Sequence, residues 1–224
     1  MNAFEISQYR RPMGHFDLHA HFSLQATDRL ALLGPSGCGK TSLLRAIAGV
    51  NQGIEEQGTI RVQGKEIQNL PPENREVGLV FQDFALFPAL DVFGNLTFGL
   101  RARGVPRSLW NERLQPWIER FGLSSRIKES ISTLSGGEKQ RVALVRTAVT
   151  EPKVLLLDEP FSALDTELRR QAAEAIREMQ ERLRVPLIFV THDVADVERL
   201  ATHRIEVRQE RSSANSRWVH SFNF

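Results

Sequence analysis

With 224 residues, 41% of them hydrophobic and 25% charged, the chain has the composition of an ordinary globular protein and the length to bury a sizeable core. Its 29 Lys and Arg against 27 Asp and Glu leave a formal charge of only +2, with no basic block before the last stretch, so charge makes no case for nucleic-acid binding. One cysteine excludes an internal disulfide, and no apolar run approaches the ~18–20 residues of a membrane span.

The N-terminal MNAFEISQYRRPMGHF has no apolar segment of the signal-peptide kind, and a cytoplasmic location is expected. Phe4 to Gln8 and Phe16 to Leu24 read as strands. In the second, Phe16, Leu18, Ala20, Phe22 and Leu24 alternate with Asp17, His19, His21 and Ser23, the period-two pattern of a half-exposed strand. His19 and His21 then share the wet face as solvated side chains rather than as a metal pair. Leu30 to Leu33 is an apolar run that reads as a buried strand and leads into Gly34-Pro35-Ser36-Gly37-Cys38-Gly39-Lys40-Thr41. A helix follows from Thr41 to Val50, ending near Gly49. Gly58 to Gly64 is a short strand and Val77 to Phe81 a buried one. Early strands without helices between them predict a small antiparallel sheet beside a parallel one.

From Asp91 to Arg146 the pattern is helical. Within it, Leu109 to Phe121 has near-helical apolar spacing, with Pro116 as a kink or break. Trp110 and Trp117 share one face if the helix passes through Pro116, and burial against a neighbouring helix is expected for both. Val154 to Leu157 is wholly apolar, as a parallel strand covered on both faces should be. Thr166 to Leu183 is an amphipathic helix with Glu174 and Glu178 on its solvated face. Pro186 to Val190 is a strand, Val194 to Ala201 a helix, and Arg204 to Val207 a last short strand. The domain is expected to span residues 1–207, with Arg208 to Phe224 as a frayed polar tail.

The chemistry starts at Gly34. G-x-x-x-x-G-K-[ST] between a strand and a helix is a phosphate-binding loop: glycines allow the tight path that turns N–H groups toward phosphate oxygens, and the helix adds its positive end. Lys40 can reach the β- and γ-phosphates, and the Thr41 hydroxyl can join Mg²⁺. Such a loop needs an acidic partner from a neighbouring strand. The strand from Val154 delivers Asp158 to its C-terminal end, where open parallel sheets bind ligands. Asp158 would hold Mg²⁺, and Glu159, one residue on, would orient and polarise the attacking water. Cys38 is a thiol in the loop whose alkylation is expected to block nucleotide binding, and phosphoryl transfer to water requires no nucleophile from it.

A second glycine turn, Leu134-Ser135-Gly136-Gly137-Glu138-Lys139-Gln140-Arg141, opens a helix and so makes another anion-binding helix start. As LSGGEKQR upstream of VLLLDEP, it resembles the signature of ATP-binding cassette (ABC) ATPases. Gln82, after the strand ending in VF, resembles that family's Q-loop glutamine. Ser162-Ala163-Leu164-Asp165 resembles the D-loop, and His192, after LIFVT, the switch histidine. The resemblance runs from about Phe4 to Val207. It implies a RecA-like P-loop α/β core, an antiparallel β subdomain near the N-terminus, and a helical subdomain over about 83–150. It also implies that residues 37–41 and Ser42 hold ATP phosphates, and that Thr41, Gln82 and Asp158 surround Mg²⁺. Glu159 is then the base, with His192 on the γ-phosphate and the water. Ser135, Gly136, Gly137 and Asp165 face the ATP of an opposite cassette.

LPPENREVGLVFQDFALFPALDVFGNLTFGL is similar to the pattern of bacterial iron, polyamine, molybdate, sulfate and thiamine importer cassettes. The resemblance implies a homodimer on ATP binding, a membrane permease partner that tethers the chain to the inner membrane face, and, indirectly, a solute-binding protein. Phe84 to Leu90, an apolar loop after Gln82, is expected to be a partner surface rather than core. The aromatic that stacks on adenine in many members would fall near Arg11, where Tyr9 and Phe16 are the nearest candidates. The extra regulatory β-domain that many importer subunits carry is not expected here. Cassettes acting on DNA or ribosomes usually need coiled-coil insertions or two cassettes in one chain, which this sequence lacks. A P-loop kinase would not need LSGGEKQR, and a binding-only cassette would not need Glu159 and His192.

Overall fold

The structure, a computed structural model, describes residues 2–50, 55–162, 164–211 and 218–224. Strand β1 (Phe4–Met13) continues past Gln8 because a register shift between Ile6 and Tyr9 lets a second run pair with β2 (Phe16–Leu24). Next come β3 (Arg29–Leu33), helix α1 (Lys40–Ala48), β4 (Gln57–Val62), β5 (Lys65–Glu66) and β6 (Val77–Val80). The helical stretch resolves into α2 (Val92–Ala102), α3 (Trp110–Arg120) and α4 (Gly136–Ala148), joined by short 3₁₀ turns. Then β7 (Val154–Asp158), α5 (Thr166–Leu183), β8 (Leu187–Thr191), α6 (Val194–Leu200) and β9 (His203–Glu206) alternate, before β10 (Arg208–Arg211) and β11 (Trp218–Asn223).

Two sheets result. One is wholly parallel, in the order β6-β7-β8-β3-β9, and the other runs β10-β11-β2-β1-β4-β5. Every residue of β7 and β8 is buried, and their alternation divides two cores. Leu155, Leu157, Leu187 and Phe189 face a core shared with α2, α4 and α5. Val154, Leu156, Ile188 and Val190 face a core shared with α1 and the second sheet. Strands that are apolar at every position can lie only between two such layers. The order of a parallel sheet places the ends of β3 and β7 on the same edge of the molecule, separated by β8.

Helix α3 passes through Pro116 without a break, and Trp110 and Trp117 both turn inward at 9% and 7% exposure. Glu174 is solvated as expected, while Glu178 reaches across to Arg120 of α3 in an ion pair. Buried Arg75 closes the end of α1, donating to the carbonyls of Ala46 at 2.7 Å and Ile47 at 3.1 Å. That arrangement satisfies carbonyls the helix itself leaves unpaired. His19 and His21 stay on the outer face of β2, and no metal-binding group of three or more His, Cys, Asp or Glu occurs among the described residues. No described helix is long and apolar enough to cross a membrane.

The end of the chain corrects the expectation of a frayed tail. Residues 208–211 and 218–223 form a hairpin, and β11 adds in parallel to the edge of β2. His220 and Phe222 point inward, and Phe222 is fully buried in the core over α1. A single buried phenylalanine is a weak apolar signal. Main-chain pairing to an open sheet edge holds this segment, and such an edge is invisible until the sheet is assembled.

Candidate active site

β3 ends at Leu33 and α1 begins at Lys40, and the loop between them turns over the helix start. Gly37 and Gly39 have φ of 80° and 98°, left-handed values that suit glycine. At Gly39 a Cβ would also lie 3.1 Å from the Phe16 ring. Lys40 is buried, and its Nζ donates to the carbonyls of Gly34 at 2.7 Å and Pro35 at 2.8 Å. The ammonium is thereby held within the loop. Ser36, Gly37, Gly39, Lys40, Thr41 and Ser42 border a cleft of about 220 Å³, with Glu159 on its wall. Cys38 is turned the other way. It is only 1% exposed, with Sγ 3.7 Å from Lys40 Nζ, so a reagent reaches the thiol only when the loop opens.

The acidic pair sits where β7 ends. The Thr41 hydroxyl donates to Asp158 Oδ1 at 2.7 Å, joining the start of α1 to the end of the strand. Burial raises the Asp158 carboxyl above the usual carboxylate range, against the opposing effects of the Thr41 hydrogen bond and of Arg45. Glu159 follows with φ 46°, a left-handed and strained backbone for a non-glycine residue. One carboxylate oxygen is 3.5 Å from His192 Nδ1, and the other 3.5 Å from Gln82 Nε2, both at the outer limit of hydrogen bonding. Gln82 is also 3.5 Å from Ser162 Oγ. A second cleft of about 720 Å³, bordered by Thr41, Arg45, Gln82, Asp158 and Ser162, shares Thr41 with the first.

The loop after Gln82 divides. Phe84 and Leu86 are half-buried against the main core, so they are not the free surface expected of the whole run. Arg146 of α4 donates to the carbonyls of Phe84 and Ala85, each at 2.7 Å, and lies over the Phe87 ring. Phe87 stays exposed and packs at 4.2 Å between centroids on Phe98, which is exposed with Phe93 on α2.

Ser135 caps α4 in a reciprocal box. Its Oγ accepts from the Glu138 N–H at 3.3 Å, and Glu138 Oε2 accepts from the Ser135 N–H at 2.8 Å. The Ser135 N–H bond, with a second from the Ser135 hydroxyl to the same oxygen at 2.8 Å, holds the Glu138 carboxyl below its usual range. Ser135 and Gly136 are exposed and Gly137 is buried, and none of the three borders either cleft on the phosphate loop. Asp165 caps α5, accepting from the Leu168 N–H at 2.9 Å, and Ala163 of the same turn lies outside the described residues. Of the two aromatic candidates, Tyr9 of β1 is 1% exposed, whereas Phe16 borders the smaller cleft. Sequence reasoning missed Arg45, Arg146 and His220. Arg45 lies one helical turn after Thr41, which was a usable signal; the other two had none.

Fold and loop together define a P-loop α/β domain. The profile of the family described as ABC transporter matches residues 18–162, and the chain belongs to that family. Over 189 residues it is 42% identical to the spermidine/putrescine import ATP-binding protein PotA of Clostridioides difficile (strain 630), covering 84% of this chain and 54% of that one. It is 41% identical over 175 residues to the protein of the same description from Bacteroides fragilis (strain YCH46), covering 78% of this chain and 38% of that one. The chain thus spans about half the length, or less, of these relatives. A solved structure described as the ATP binding subunit of an ABC transporter superposes with a TM-score of 0.76 at 23% identity, covering 91% of this chain and 85% of that one, a likeness of fold.

Proposed function

We propose that this chain is the ATP-binding and ATP-hydrolysing subunit of an importer, acting as a pair of cassettes on a separate membrane permease. The observation that carries this is the junction of phosphate loop and acidic strand. There the Thr41 hydroxyl bonds Asp158, and Glu159 stands beside it between His192 and Gln82.

Lys40 exchanges its carbonyl partners in the loop for phosphate oxygens of ATP, with N–H groups of residues 37–41 and the Ser42 hydroxyl beside it. Thr41 Oγ1, the Asp158 carboxylate and the Gln82 side-chain oxygen make an all-oxygen donor set of the kind Mg²⁺ takes alongside phosphate and water. When bound, that ion supplies neutralisation of charge on the phosphates. Glu159 orients the attacking water and accepts its proton, and His192 positions the γ-phosphate and the water. The α4 start, with exposed Ser135 and Gly136 and buried Gly137, borders neither cleft of its own chain. That supports a second cassette supplying it across a dimer, with Asp165 near the same interface. ATP then closes the pair, and hydrolysis lets it open.

The exposed Phe87, Phe93 and Phe98 group beside Gln82 is the surface for the permease, and couples closure to transport. The relatives' import names support the direction of transport. In this reading the chain works at the cytoplasmic membrane face, and a solute-binding protein acts through the permease.

The test is Glu159→Gln. Steady-state hydrolysis should fall by about 10²–10⁴-fold, while an ATP-bound dimer accumulates in size-exclusion chromatography. The wild type should run as a monomer without nucleotide. Normal turnover by the variant would remove Glu159 as the base, and a stable nucleotide-free dimer would contradict the switch.

A further inference from the structure

His220 stands behind the phosphate loop. It is 8% exposed, and its Nδ1 lies 3.0 Å from the Cys38 carbonyl oxygen. A carbonyl only accepts, so Nδ1 carries the proton and donates. The same imidazole stacks on Phe16, with centroids 3.9 Å apart and planes 21° from parallel. The rim of Phe16 in turn occupies the space beside Gly39, 3.1 Å from where a Cβ would be. Strand register produces this meeting. In the parallel β2–β11 pair, Trp218 lies opposite Phe16 and His220 opposite Leu18, and His220 and Phe222 are the inward residues.

Peptide geometry gives the contact a consequence. In a planar trans peptide the C=O and the following N–H point in opposite directions. A donor that takes the Cys38 carbonyl therefore turns the Gly39 N–H the other way, and Gly39 borders the phosphate cleft. That N–H precedes the first turn of α1 and has no partner within the helix. Lys40 occupies the carbonyls of Gly34 and Pro35, and His220 occupies that of Cys38. The Lys40 contacts give way to phosphate when ATP binds, so the His220 contact is the one that keeps the Gly39 donor turned toward an anion.

We propose that His220 is a positioning residue of the nucleotide site: its Nδ1–H holds the Cys38–Gly39 peptide with the N–H toward the phosphates, and its ring backs Phe16 at the cleft wall. This rests on the reading of the loop as an ATP site. It makes the last strand part of that site, so that phosphate affinity depends on β11 being seated against β2.

Isothermal titration with ATP and with tripolyphosphate tests it, because tripolyphosphate has no base and reads the loop alone. His220→Ala should weaken tripolyphosphate about tenfold, equivalent to ~1.4 kcal/mol. His220→Asn keeps an N–H donor near the Nδ1 position and should restore tripolyphosphate affinity to within about threefold of wild type. His220→Phe keeps the stack but not the donor, and should bind tripolyphosphate as weakly as His220→Ala. The proposal is overturned if His220→Ala binds both ligands like the wild type. It is equally overturned if Asn and Phe rescue to the same extent, or if Asn rescues nothing, since the effect would then be one of packing. A wild-type protein that bound neither ligand would instead overturn the ATP-site reading, and this inference with it.

Discussion

Replacing Asp158 by Asn separates what the residue does for the fold from what it does for the nucleotide. Asp158 is 5% exposed, and burial outweighs the Thr41 hydrogen bond and the Arg45 and Lys40 charges in setting its carboxyl above the usual range. A raised folded-state pKa means that the folded protein binds more protons than the unfolded one. Stability is therefore lost as pH rises from the unfolded value through the folded one, and the deficit is complete above the folded value. The Asn amide oxygen can still accept from Thr41, and its N–H₂ borders a cleft that water can enter. Asp158→Asn should therefore raise the nucleotide-free melting temperature at pH 7.5, each kcal/mol recovered being worth about 2–4 °C in a domain of this size. The gain should shrink on acidification and vanish below the ordinary carboxylate range, where wild-type Asp158 is protonated in both states. With nucleotide the sign reverses. Wild type at 100 times its Kd should gain ~2.7 kcal/mol from MgATP, and the variant should melt alike in ATP with magnesium and ATP with EDTA. Thermal melts across pH, with and without MgATP, check both halves. An empty variant less stable than wild type at pH 7.5 would refute the assignment of burial as the dominant effect, and an undiminished response to magnesium would refute Asp158 as its ligand.

Lys40→Ala should weaken ATP by at least about tenfold, because a charge-assisted contact to phosphate contributes ~1.5–3 kcal/mol; unaltered affinity in an equilibrium titration would contradict its place. Cys38, 1% exposed, should react with an aromatic disulfide reagent about a hundredfold or more slower in the folded protein than in denaturant, through opening of the loop. Fast stoichiometric labelling of the native protein would refute the buried placement.

The helices and parallel strands were legible because their apolar periods are strong. Thr166–Leu183 stands as drawn, and the all-apolar runs at Val154 and Leu187 became the doubly covered strands. Three features were not legible, each for a physical reason. The helical stretch from Asp91 hid three helices, since 3₁₀ connections keep a similar spacing of apolar residues. Phe84 and Leu86 looked like surface because they are apolar residues in a loop, yet both pack on the main core, where Arg146, distant in sequence, clamps the backbone of Phe84 and Ala85. The chain end looked polar because Phe222 is its one buried apolar residue among those described, and main-chain pairing to β2 sustains it.

By itself the sequence determined the chemistry that is local along the chain: a glycine loop ending in Lys40-Thr41, and a strand ending in Asp158-Glu159. Backbone conformation and side-chain order suffice there. Only the tertiary structure decided which distant groups meet. It set Thr41 on Asp158, placed Glu159 between Gln82 and His192, buried Cys38, and drew His220 beneath the loop from 182 positions away. Those contacts depend on strand order and register, which pattern along one chain cannot specify, because pairing partners are chosen by the assembled sheet edges.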